Sequence, residues 1–169
     1  MLALTLAAGI SFASTLRIGQ GEIQRPELTQ CPFTKKALEL QNLVIQDLAL
    51  GRDMKLNFTG LLLEETVGEP ALKFTMWNSY NVRMPCIEDY GSCTYKMCGG
   101  TTVIEKMASG SWNNTCPILP GTYETYMKLP VISAAKYVRE NGTFRVKLEA
   151  VNGREVVECK TFHVYLAPN

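Results

Sequence analysis

Residues 84–98 read MPCIEDYGSCTYKMC, and this stretch decides how the rest of the chain is understood. It gathers three of the six cysteines into one segment with a glycine and two tyrosines. Cys86 and Cys93 are close enough to close a small ring around residues 87–92, while Cys98 must find its partner elsewhere. Six cysteines in an exported chain imply disulfides, and six allow fifteen pairings among which spacing does not choose. The spacings do not suit a zinc site, which would need C-x-x-C pairs. The single histidine, His163, has no obvious histidine or thiolate partner.

The start of the chain points to the same compartment. Residues 1–14, MLALTLAAGISFAS, form an apolar run too short to span a bilayer and end in a small-x-small pattern at Ser11-Phe12-Ala13. They read as a secretory signal peptide, with a buried N-terminal element as the competing reading. Residues 15–30 read as a loose polar lead, and residues 31–169 as one domain. Three sequons, at Asn57, Asn113 and Asn141, are candidate glycosylation sites and fit a secreted or lysosomal protein. Lys plus Arg number 17 against 16 Asp plus Glu, a net charge of +1. Such a balance argues against a nucleic-acid partner, which would leave a basic stripe. A transient membrane contact remains open to such a chain, because apolar loops dock without charge.

Patterning is that of strands. Leu56, Phe58, Gly60 and Leu62 alternate with Lys55, Asn57 and Thr59; Leu72, Phe74 and Met76 repeat the pattern. Leu38, Leu40, Leu43, Ile45 and Leu48 change parity, as in a kinked strand or a strand pair, though residues 37–50 also suit an amphipathic helix. Residues 98–116 read as a long loop with one helical turn. Residues 117–130, punctuated by Pro117, Pro120, Gly121 and Pro130, read as a breaker-rich functional loop. Phe144, Val146, Leu148 and Ala150 lead into Asn152-Gly153, a type I′ hairpin turn. The return strand places Val157 and Cys159 inward, then switches face near Lys160 to suit Phe162, Val164 and Leu166. The expected fold is therefore all-β, an antiparallel two-sheet sandwich or cup.

No catalytic set emerges, so the chain reads as a non-enzyme without metal or cofactor. The cysteines are read as oxidised, the histidine lacks an acid, and Glu64-Glu65 and Glu88-Asp89 are adjacent carboxylates best read as solvated loop charges. What remains is apolar. The inward residues Leu56, Phe58, Leu62, Leu72, Phe74, Met76, Phe144, Val146 and Leu148 would line a cavity or pack a core. Trp77, Trp112, Val131, Ile132 and Tyr137 are candidates for a rim that touches a membrane or partner.

At Met84-Pro85-Cys86 and Gly91-Ser92-Cys93-Thr94-Tyr95 the chain resembles the ganglioside activators of the ML lipid-recognition domain family. Cys116-Pro117, Gly121-Thr122-Tyr123, the strand start at residues 142–145 and the late Cys159 add to the resemblance. It implies an immunoglobulin-like sandwich with disulfides Cys31–Cys159, Cys86–Cys93 and Cys98–Cys116, and lipid chains held in an apolar cavity between two splayed sheets. It implies a non-catalytic carrier that lifts a glycosphingolipid or phospholipid from a membrane and presents it to a hydrolase. The related alternative is a secreted sensor that delivers its lipid to a receptor. The activators carry a fourth bridge inside the loop closed by Cys98 and Cys116. This chain lacks it, which implies a looser loop. A fully packed adhesion domain is the rival reading, but the Cys…Trp…Cys spacing of true immunoglobulin domains is absent.

Overall fold

The computed structural model describes residues 22–32, 35–131 and 142–167. In chain order the strands are β1 (Ile23–Gln24), β2 (Thr29–Gln30), β3 (Leu38–Gln46), β4 (Asp53–Leu62), β5 (Ala71–Trp77) and β6 (Thr94–Lys96). The helix α1 (Val103–Ala108) and a 3₁₀ turn (Gly110–Trp112) follow, then β7 (Gly121–Pro130), β8 (Gly142–Asn152) and β9 (Glu155–Leu166). They build two antiparallel sheets, β1-β3-β4-β7 and β2-β9-β8-β5-β6, so the fold is the two-sheet sandwich that the sequence implies.

The two sides of the sandwich differ. On one side the sheets touch directly: β3 meets β9, Ala37 N donates to Val157 O at 3.2 Å, and Leu40 N to a Glu158 carboxylate oxygen at 3.3 Å. The Cys31–Cys159 disulfide, which joins residues 128 apart, lies on this side. On the other side α1 packs against both β7 and β6 and holds the sheet edges apart. The gap between the sheets is therefore wedge-shaped, narrow at β3–β9 and wide at β6–β7.

Several elements differ from the sequence reading. Residues 22–30 are tied in rather than loose, because β1 pairs with β3 in one sheet and β2 with β9 in the other. The parity change in residues 38–48 is one strand with a bulge between Gln41 and Val44, where Asn42 takes φ +52°. Residues 121–130, read as loop, are a ten-residue strand with Thr125, Met127 and Leu129 buried. The hairpin turn is centred on Gly153 and Arg154, since Asn152 still pairs with Glu155. Only Gly153 has positive φ, +66°, the pattern of a type II′ turn rather than I′. The face switch falls at Val157, not near Lys160: Val151 pairs with Val156 and Ala150 with Glu158, leaving Val157 as the extra residue. Cys159 is accordingly on the opposite face from Glu158 and Phe162. Residues 1–14 and 132–141 lie outside the described residues, and with them Ile132, Tyr137 and Asn141.

Candidate functional site

Inward side chains of both sheets enclose a cavity of about 290 Å³. That is about twice an engineered cavity of roughly 150 Å³ that stays dry and takes up benzene. It sits at the lower edge of the roughly 300–1,000 Å³ usual for small-molecule sites. All nine residues placed inward by alternation line it: Leu56, Phe58, Leu62, Leu72, Phe74, Met76, Phe144, Val146 and Leu148. β7 adds Tyr123, Thr125, Met127 and Leu129, which the sequence reading missed along with the strand. β3 adds Leu40, Leu43 and Ile45, and α1 adds Ile104 and Ala108. The charged side chains on the wall are Asp89 and Glu158.

The ring closed by Cys86–Cys93 forms part of the wall through Ile87, Asp89, Tyr90 and Gly91. It is strapped along β5: Phe74 N donates to Cys93 O at 2.8 Å, Met84 N to Met76 O at 2.8 Å, and Met76 N to Ser92 Oγ at 3.0 Å. Gly91 has φ +95°, and a Cβ there would fall 2.1 Å from Pro85 O, so only glycine closes this turn. Tyr95 packs edge-on against Phe74, with 5.7 Å between centroids, and its hydroxyl donates to Asp89 O at 2.7 Å. Burial, reinforced by Asp89, pushes that hydroxyl well above the usual phenol range, so it stays a neutral donor.

One end of the cavity is closed and the other reaches solvent. At the closed end Thr66 and Ile118 exchange bonds, Thr66 N to Ile118 O at 3.0 Å and Ile118 N to Thr66 Oγ1 at 2.8 Å; Ile118 is 2% exposed. At the other end, where β4 begins and β7 finishes, the wall is made of half-buried Met54, Met84, Ile87, Tyr90 and Val131 and exposed Pro85. Pro85, the one exposed residue among the described residues of the wall, marks this as the end that reaches solvent.

The five rim candidates separate. Val131 lines the cavity at its open end. Trp112 also lines it, but as a fixed wall residue: its Nε1 donates to Met97 O at 2.6 Å and its ring meets Tyr123 edge-on at 5.6 Å. Trp77 does not border the cavity. Its parity is opposite to Phe74 and Met76, and the Arg145 guanidinium lies 4.1 Å over its ring on the outer face of the sheet. Asn57 and Asn113 are exposed. The remaining disulfide is Cys98–Cys116, and no free cysteine occurs among the described residues. Nor, among those residues, does any group of His, Cys, Asp and Glu have an arrangement that could hold a metal. His163 is exposed on β9.

The molecule is thus a disulfide-tied β-sandwich with an apolar internal cavity. No protein-family model matches the chain. No curated protein matches it. Among solved structures it is similar to a Niemann-Pick type C2 protein from Japanese carpenter ant, with a TM-score of 0.48 at 11% identity, covering 88% of this chain and 94% of that one.

Proposed function

We propose that the chain is a lipid carrier that holds hydrocarbon in the cavity and moves it between membranes without catalysing a reaction. The observation that carries this reading is a cavity of about 290 Å³ with a wall of aliphatic and aromatic side chains, open at one end of the sandwich. A lipid chain gains roughly 0.8 kcal/mol for each methylene kept from water, so it leaves a bilayer only for a space equally apolar. The finer form follows the sequence resemblance: a glycosphingolipid or phospholipid, extracted and presented to a lysosomal hydrolase or to a receptor. Three disulfides and two exposed sequons support a secreted or lysosomal setting.

Vesicle-to-vesicle transfer tests it. Donor vesicles would carry a fluorescent glycosphingolipid, phospholipid or long-chain alcohol. Transfer of at least one in proportion to protein concentration is expected. Transfer of none overturns the carrier reading, and transfer of the alcohol alone overturns its finer form.

A further inference from the structure

Thr125 stands midway along β7, 3% exposed, between Tyr123 and Met127 on the inward face and opposite Phe58 of β4. Its Oγ1 is the one buried side-chain nitrogen or oxygen without a hydrogen-bond partner among the described residues. The other buried polar side chains of the wall are engaged. Thr66 Oγ1 accepts from Ile118 N, the Tyr95 and Tyr123 hydroxyls donate to Asp89 O and Leu119 O, and Trp112 Nε1 donates to Met97 O. Glu158 accepts from Gln30, Leu40 and Cys159. A buried hydroxyl left unpaired is destabilising, and a valine would fill the same space without that cost.

From this we infer that Thr125 anchors the polar group of a bound lipid inside the cavity, and that this lipid is uncharged with a hydroxyl or carbonyl at its inner end. The inference rests on the lipid-carrier reading and departs from its finer form, because it assigns the cavity a lipid with a small uncharged polar end in place of a glycosphingolipid or phospholipid. A threonine hydroxyl both donates and accepts, so it suits either group. Charge disfavours an anion, because the wall carries Asp89 and Glu158 but no lysine, arginine or histidine, and Lys160 beside it is already engaged by Glu158 at 3.8 Å and Gln30 Oε1 at 2.6 Å. A carboxylate or phosphate at this depth would be buried without a counter-charge. Depth sets orientation. From Leu129, near the open end, to Thr125 is about 13 Å at ~3.3 Å per strand residue. The small polar end enters first and the chain runs back toward the mouth. A lipid with a large hydrated head cannot adopt that pose.

Nile red, an uncharged apolar dye, would be bound in the cavity and displaced by 1-dodecanol, dodecane or dodecanoate, in the parent and in Thr125→Val and Thr125→Ser. The alcohol should bind the parent better than dodecanoate does. Its affinity should fall roughly 2- to 10-fold in Thr125→Val and recover in Thr125→Ser, with dodecane unchanged throughout. Equal 1-dodecanol affinity in the parent and Thr125→Val overturns the anchor and leaves the lipid site standing. If Thr125→Val fails to fold, Thr125→Ala against Thr125→Ser gives the same comparison. Failure of dye, alcohol and alkane alike to bind the parent overturns the carrier reading, and the anchor with it.

Discussion

Glu105 shows how one side chain takes the place of a covalent link. It is 7% exposed, and its carboxylate accepts from Lys96 N at 2.9 Å, Thr101 N at 2.8 Å and Thr102 N at 3.0 Å. Glu105 N in turn donates to the Thr102 hydroxyl oxygen, completing a capping box at the start of α1. Gly100 leaves the room: a Cβ there would fall 2.5 Å from Glu105 Cβ. Asn114 adds two bonds to Gly100, each 2.9 Å. The loop between Cys98 and Cys116, expected to be loose for want of a fourth bridge, is instead tied by this polar network. The bond from Lys96 N, then that from Thr102 N, holds the Glu105 carboxyl below the usual carboxylate range. A lowered folded-state pKa means stability present above the unfolded value and lost as pH falls through the folded one. Glu105→Gln should therefore cost about 1–3 kcal/mol at neutral pH by chemical denaturation. The gap between variant and parent should narrow below the usual value of about 4.3. A gap independent of pH would show that the charge is not what matters.

Among the elements, β7 is the instructive one. Its residues Tyr123, Thr125, Met127 and Leu129 alternate with Glu124, Tyr126 and Lys128, a pattern as clear as that of β4. Prolines at 117, 120 and 130 drew the reading toward a loop, yet Pro120 precedes the strand and Pro130 ends it, where a missing N–H costs little. By contrast β4, β5 and β8 were legible because alternation ran unbroken between polar turns. The β9 face switch was foreseen but misplaced, since a bulge is set by which residue the partner strand skips, and that is a property of the pair. Which inward residues border a void was not legible at all: alternation assigns a face, whereas a cavity depends on how far α1 holds β6 and β7 apart. The same reasoning explains Trp77, whose outward parity was visible while its partner Arg145 was far away in sequence. β7's parity is open to test. Met127→Ala should cost about 2 kcal/mol or more, and Tyr126→Ala, at 60% exposure, no more than about 0.5 kcal/mol in thermal or urea unfolding. The opposite order would put the strand's other face against the core.

At the level of the whole molecule, the chain departs from the rule that a sandwich closes on itself with its two inner faces interdigitated. Here one side is drawn shut where β3 meets β9, and the other is propped by α1; the Cys31–Cys159 bridge ties the edge strand β2 to β9 within one sheet. Unfilled space between apolar walls forfeits dispersion contacts, so an empty cavity works against stability. The long-range disulfide offsets that loss. Closing a loop of this span is worth on the order of 5 kcal/mol in the chain-entropy model. A scaffold stapled in this way tolerates a hollow interior that burial alone would collapse, and a hydrocarbon bound there would restore the missing contacts. The direct measurement is mass spectrometry of lipid extracted from the natively folded, purified protein. Lipid in near-stoichiometric amount is the result a hollow carrier requires. A protein that yields none, even after incubation with lipid vesicles, would contradict it.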